Sequence, residues 1–498
     1  MTSGISRVSR VPASGYRHTG WLVPALWTLG LGLWGLSRQD SVWRDEAATW
    51  QVARRSAAEI WHMLGNVDAV HGLYYLLMHG LFEVFGPSTT TLRLPSVLAV
   101  AAAAGCVAVT ARRLVPGPAG FWAGLGGGTA LGLLPAVQFQ LQEGRPYALV
   151  LAGAGLSTLL LTGLLQDRPG RRAWPRWTAY ALAVLVCALL NWLSLLVLPA
   201  HAVTLWWTRA GRGVLGRWVL ASAGAGLGAL PLILFSRSQS GQVSWIPPLT
   251  WHMLIGPAVL LAIGTLCAPL DGPRTRRLSA AAVGLPLLVV PFVALAGLSL
   301  VQPLFLDRYV LFAMLGLALL IGAGLGAGVR AAARRSPRAA ALIVPVVIGA
   351  AVLAMLPMER ERRAPASRVD DVLAVAHEVA RLKDDGDAVL FVPAARRDTA
   401  LVSPGSFTGL ADIALARTPA ESGTLKGVEG EDPARLRAAM LAQRRILLVT
   451  DAAKAAKPSG ATRDRVKAAV LGEGFTPVAD REVRGRRVTV YERTAGGR

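Results

Sequence analysis

Long apolar runs separated by short arginine-rich clusters fill the chain as far as Leu356. A window of about 19 residues, the length a helix needs to cross the hydrocarbon, resolves roughly eleven of them. They lie near Trp21–Leu36, Leu92–Thr110, Ala119–Val137, Tyr147–Leu165, Trp177–Leu190, Leu193–Trp207, Trp218–Phe235, His252–Leu270, Leu278–Val301, Tyr309–Val329 and Ala339–Leu356. This pattern predicts an all-α polytopic membrane protein. Gly72–Phe85 is apolar too, but it is short and carries His79 and Glu83. It reads as an interfacial helix, with Tyr74, Tyr75, Phe82 and Phe85 in the aromatic belt.

After Leu356 the pattern changes, and Glu359-Arg360-Glu361-Arg362-Arg363 opens a polar segment of domain size. Asp370–Leu382, Arg435–Gln443 and Arg463–Leu471 read as helices, while Ala388–Val392, Ile446–Thr450 and Arg487–Tyr491 read as strands. Alternating helices and strands predict a small α/β layer domain. The expected organisation is a basic tail (1–20), a transmembrane domain (21–357) with a large loop at 38–91, and a soluble α/β domain (358–498).

Composition agrees with the membrane reading. The 498 residues are 53% hydrophobic with a mean hydropathy of +0.45, too apolar for a soluble chain of this length. The net charge of +22 would suit a nucleic-acid partner, but its distribution argues otherwise. Up to Met358 there are 27 Lys+Arg against ten Asp+Glu, and beyond it 25 against 20. The excess therefore lies in loops between apolar runs, where it meets anionic lipid and sets orientation. With eleven spans, Arg7/Arg10/Arg17, Arg112-Arg113, Arg168/Arg171/Arg172/Arg176, Arg209/Arg212/Arg217, Arg274/Arg276/Arg277 and Arg330/Arg334/Arg335/Arg338 all share one side. The positive-inside rule makes that side the cytoplasm of a multi-pass cell-membrane protein. The α/β domain is then extracytoplasmic. Cys106, Cys187 and Cys267 all fall in apolar runs and read as free thiols.

Acidic residues are scarce in the membrane part, so each is a functional candidate. Asp45 and Glu46 stand together directly after the first apolar run. On this topology they share the outer face with Asp68, His71, Gln142, Glu143, Arg145, Tyr147, Asp307, Arg308 and Tyr309. Structural readings exist for each. Asp45 could cap a helix over Glu46–Arg55, and Arg145 and Arg308 could pair with Glu143 and Asp307.

Several strings carry a family resemblance: Trp-Arg-Asp-Glu-Ala-Ala-Thr-Trp at Trp43–Trp50, Asp68-Ala-Val-His-Gly-Leu-Tyr-Tyr75, Leu92-Arg-Leu-Pro-Ser96, Gln142-Glu-Gly-Arg-Pro-Tyr147 and Asp307-Arg-Tyr309. Their order resembles the GT-C glycosyltransferases, in particular protein O-mannosyltransferase-like enzymes and the aminoarabinose transferases of lipid A. The resemblance covers roughly the first 330 residues. It implies inverting transfer of a sugar, mannose first among candidates, from a polyprenyl-phosphate donor to a protein, lipid or glycan acceptor outside the membrane. No nucleic-acid partner is implied. A transporter or flippase of lipid-linked sugars is the alternative, but such proteins often show paired halves with midplane sites, and no internal repeat is visible.

The donor brings its own phosphate leaving group, so one carboxylate acting as general base on the acceptor hydroxyl can suffice. Asp45 is the expected base, with Glu46 positioning it or the acceptor. Arg145 and Arg308 are expected to clamp phosphate, because a guanidinium fork matches its oxygens. Tyr147 and Tyr309 would donate hydrogen bonds or support the sugar, with Asp68, His71 and Glu143 completing the substrate-binding set. No cofactor is required by this chemistry; a divalent metal on His71, Asp68 and Glu46 is the one these residue types could hold.

Overall fold

The computed structural model describes residues 20–167, 173–239, 241, 245–271, 277–454, 456 and 461–494. The basic tail with Arg7, Arg10 and Arg17, and the loop residues Arg168, Arg171, Arg172, Arg274 and Arg276, lie outside the described residues.

A short apolar helix, α1 (Leu22–Leu33), leads into a loop with three helices, α2 (Arg44–Ala53), α3 (Ala57–Asn66) and α4 (Gly72–Phe85). Next come α5 (Thr89–Leu114), the pair α6 (Ala119–Leu133) and α7 (Pro135–Leu141), α8 (Tyr147–Gln166), α9 (Ala173–Leu190), α10 (Trp192–Trp207) and α11 (Arg212–Ser238). The bundle ends with α12 (Trp251–Cys267), α13 (Ala280–Ser299), α14 (Asp307–Ala333) and α15 (Pro337–Arg362). Seven of these are long and apolar enough to cross a membrane, and the bent pair makes up to eight. The shorter apolar helices α1, α10 and α12 fill the remaining predicted positions. Helix α14 is the centre of the bundle, with 78% of its apolar window buried, against 11% for α15 at the lipid-facing rim.

The run predicted as one span over Ala119–Val137 is two helices bent by 64°. Pro135 is the cause. Its ring disfavours helical geometry at Leu134, which is extended (ψ 128°), and Pro135 then starts α7 at its first position. The bend brings Gln142–Arg145 back under the loop helices.

The α4 aromatics differ from expectation in a related way. Tyr74 and Tyr75 are fully buried, and Phe82 meets the Trp50 ring edge-on at 5.5 Å; Phe85 alone is exposed. The loop helices fold onto α4, so most of its aromatic face packs against protein rather than headgroups.

The C-terminal part forms a five-stranded sheet in the order β2-β1-β5-β7-β6. The strands are β1 (Ala388–Val392), β2 (Ala411–Asp412), β5 (Arg445–Asp451), β6 (Phe475–Val483) and β7 (Arg486–Arg493), with β3 (Leu415–Arg417) and β4 (Val428–Glu429) as a separate pair. β1 lies parallel to β2 and β5, and β7 lies antiparallel to β5 and β6. Helix α16 (Val372–Leu382) covers one face and α19 (Thr462–Gly474) the other, after the short α17 (Asp398–Val402) and α18 (Pro433–Leu441). The sequence pattern missed β6 because it is an edge strand interrupted by Pro477 at a register irregularity.

Candidate active site

Helix α2 brings both adjacent carboxylates to one spot but gives them different surroundings. It begins at Arg44, with Trp43 in the N-cap position, so Asp45 sits in the first turn and is not the cap. Asp45 Oδ2 accepts a hydrogen bond from Arg308 Nη1 at 3.3 Å, and both side chains remain about a quarter exposed (24% and 22%). Arg308 therefore pairs with Asp45 and not with its chain neighbour Asp307. Its guanidinium carbon lies 5.8 Å from the Tyr147 ring centre and 5.7 Å from that of Trp245. The Tyr147 and Tyr309 rings are 6.0 Å apart. Beside Arg308 a cavity of about 290 Å³ is lined by Phe139, Gln140 and Asp307.

Arg145 completes this group. Burial works against its charge, but Asp45, Tyr75, Tyr147 and Asp68 hold its pKa above the usual arginine value. Its Nε and Nη1 are closed to solvent and have no hydrogen-bond partner among the described residues; the same holds for Arg308 Nε. Buried donors without partners are uncommon and carry a cost.

Asp68 anchors the far side. It adopts a left-handed conformation (φ 61°), tolerated by Asp, in a loop that turns into α4. Its carboxylate takes His71 Nδ1 at 2.7 Å and the Tyr75 hydroxyl. Burial would raise this carboxyl, but His71 and Arg145 keep it well below the ordinary Asp range. Gln239 fixes the same loop: its Oε1 accepts from Ala69 N and its Nε2 donates to Leu64 O, each at 2.9 Å.

Two predicted site residues are engaged elsewhere. Glu46 is fully buried. Its oxygens accept from Arg93 Nε (2.7 Å) and Nη2 (2.6 Å), Arg38 Nη2 (2.9 Å) and Gly144 N (3.1 Å). No face is left for an acceptor, so the expected catalytic role gives way to a structural one. Glu46 ties α2 to α5 and to the turn that carries Arg145. Glu143 is likewise buried. It accepts from Arg368 Nε and Nη2 at 3.1 and 2.8 Å and from Trp43 Nε1. It does not pair with Arg145 and has no opening to substrate. The metal set of His71, Asp68 and Glu46 also does not form, since Glu46 lies with the arginines. Among the described residues no group of three or more His, Cys, Asp or Glu is arranged to hold a metal ion.

Arg93, Arg38 and Arg368 had no assigned role in the sequence reading. Arg93 carried a signal: an arginine in the first turns of an apolar helix needs a buried partner. Arg38 and Arg368 gave none: Arg38 lies in a polar loop eight residues before Glu46, where no helical spacing pairs them, and the Glu143 partner of Arg368 is 225 positions away.

No protein-family profile matches the chain, and no curated protein matches it. Solved structures do. The chain is similar to ArnT from Cupriavidus metallidurans in the apo state, with a TM-score of 0.55 at 16% identity, covering 95% of this chain and 98% of that one. Against ArnT bound to undecaprenyl phosphate the values are 0.53 and 15% at the same coverage. The archaeal oligosaccharyltransferase AglB from Archaeoglobus fulgidus, in complex with an inhibitory peptide and a dolichol-phosphate, gives a TM-score of 0.51 at 11% identity, covering 87% of this chain and 69% of that one. The likeness is one of backbone arrangement over nearly the whole chain. This protein has the GT-C membrane fold of those enzymes, the fold that its ordered motifs implied.

Proposed function

We propose that this chain is an inverting glycosyltransferase of the membrane, moving a sugar from a polyprenyl-phosphate donor to a hydroxyl of an extracytoplasmic acceptor. The observation that carries this reading is the half-open Asp45–Arg308 pair, with the unpartnered donors of Arg145 and Arg308 beside it. Asp45 takes the proton of the acceptor hydroxyl as its oxygen attacks the anomeric carbon from the face opposite the phosphate. The bond from the anomeric carbon to the phosphate oxygen breaks, and the charge arriving on phosphate falls on the two guanidinium groups. Tyr147 and Tyr309 flank the sugar, and Asp68 with His71 holds the loop wall. An apolar groove of about 410 Å³ passes Ala69 and Gly72 and is lined by Trp61, Leu64, Leu73, Leu76, Leu232 and Phe235. Its chemistry suits the prenyl chain. Both ArnT and AglB have been solved with polyprenyl phosphates, which supports the same donor class here. Mannose is the sugar to test first, on the motif resemblance.

The test is transfer of radiolabel from polyprenyl-phosphate-mannose in purified membranes, wild type against Asp45→Asn. Loss of a general base costs about 10²–10⁴-fold, so the variant should transfer label at least a hundredfold more slowly at equal abundance. Equal transfer by the two proteins would remove Asp45 from the mechanism.

A further inference from the structure

Helix α2 has no cap of its own. Trp43 occupies the N-cap position and offers no side-chain acceptor, although the first N–H groups of a helix need one. The acceptor comes from the other end of the chain. Arg44 N donates to Asp370 Oδ1 at 3.0 Å, and Arg44 Nε donates to Asp370 Oδ2 at 3.1 Å. A carboxylate there also complements the positive end of the helix dipole. The next residue along the chain is Asp45.

Asp370 is itself held tightly. It is fully buried, and Oδ2 accepts from Arg486 Nε and Nη2 at 3.1 and 2.9 Å. Arg486, at the start of β7, is also fully buried and binds both oxygens of Asp398 at 2.5 and 2.8 Å. An uncompensated buried carboxylate would be costly, and Arg486 removes that cost. The approach is close. Gly485 (φ +84°) turns the chain into β7, and a Cβ there would lie 2.9 Å from the Val369 carbonyl carbon, so no side chain fits. Arg484 Nη1 pairs with Asp371 at 2.6 Å, and Val372 N donates to Val42 O at 2.7 Å. The other end of α2 is gripped as well: Arg54 Nη1 donates to Val402 O at 3.3 Å, and Arg55 Nη1 to Thr424 O at 3.0 Å.

We propose that the C-terminal α/β unit is a positioning element of the Asp45 site: Asp370, fixed by Arg486, caps α2 from outside and sets the orientation at which Asp45 meets Arg308. The catalytic consequence rests on the transferase reading above, whereas the capping does not. Neither Asp370 nor Arg486 touches the reacting atoms. They act through Arg44 and the first turn of α2.

The experiment uses the full chain in detergent, with Asp370→Ala, Asp370→Asn and Arg486→Lys. Amide hydrogen exchange is followed in the peptide spanning 43–48, with β5 as an internal reference. Asp370→Ala should speed exchange at 43–48 about tenfold while β5 is unchanged. Asp370→Asn keeps an oxygen able to cap and should speed it less. Turnover of undecaprenyl-phosphate-mannose should fall in the same order through kcat, with KM and the affinity for undecaprenyl phosphate within twofold of wild type. Unchanged exchange at 43–48 in Asp370→Ala overturns the cap. Faster exchange with unchanged kcat overturns positioning. A drop confined to KM also overturns it, because that would place the effect in donor binding. If Asp370→Ala unfolds so that β5 also exchanges, Arg486→Lys decides: it keeps a buried cation without the fork, and no local increase in that variant overturns the proposal. A wild type that transfers no mannose defeats the sugar assignment and leaves the exchange result to decide the cap.

Discussion

Burial alone would push the Glu46 carboxyl toward its neutral form, yet Arg93 and Arg38 hold it at about 2, well below its ordinary 4.5. The sign of the consequence follows from linkage. A group whose pKa is depressed on folding stabilises the fold above its unfolded value and loses that contribution as pH falls through the folded one. Glu46 should therefore stabilise the fold at neutral pH and lose that contribution as the solution is acidified below its ordinary carboxylate range. The check is the thermal unfolding midpoint of the purified protein from pH 7 to pH 3, wild type against Glu46→Gln. The variant should start lower, because Arg93 and Arg38 lose their counter-charge, and should lose less on acidification. Parallel acid curves would remove Glu46 from the account. Asp45, one residue earlier, stays partly open to solvent, pairs directly with Arg308 and lies close enough to Arg145 to support its charge. Sequence could raise both as candidates, because carboxylates at a membrane edge are rare. It could not separate them, since the partners that bury Glu46 lie 8 and 47 positions away and the arginine on Glu143 lies 225 away.

At the scale of elements, hydropathy located every apolar segment, because a bilayer demands length and apolarity that show in one dimension. It did not reveal which faces touch. Helices α6 and α14 cross so closely that a Cβ on Gly127 would lie 2.8 Å from the Ala318 carbonyl oxygen and 3.3 Å from Gly322 Cα. Gly328, on the same α14, has open space around it. Alanine normally stabilises a helix interior by about 0.5–1 kcal/mol over glycine. Gly328→Ala should therefore raise the unfolding midpoint slightly, while Gly127→Ala should lower it, because backbone atoms must move apart. The same sign at both positions would contradict this packing. The Pro135 bend was legible in principle, since the residue before a proline avoids the helical region. Hydropathy averages over such a break, so the span reads as continuous.

At the scale of the whole molecule, orientation decides which solution the Asp45 site faces. The orientation we propose has the arginine clusters in the cytoplasm and the α/β unit outside, on the physical ground that basic loops resist translocation. The native thiols are poor reporters, because Cys187 is buried and Cys106 and Cys267 are partly so. In a chain lacking those three, Arg334→Cys and Asp480→Cys give opposite reports, since both positions are exposed, one after α14 and the other on β6. A membrane-impermeant maleimide should label the cysteine at 480 in right-side-out vesicles and the cysteine at 334 only in inverted ones. The reverse result would turn the molecule over. Asp45 would then face the cytoplasm, because Asp370 joins its helix to the α/β unit, and an extracytoplasmic acceptor would be excluded. Labelling of both positions from one side would require an even number of crossings between them. Among the described residues, α15 alone lies between those positions with the length and apolarity to cross, so that outcome would mean α15 does not span. The measurement thus tests the path of α15 and the side of the chemistry together.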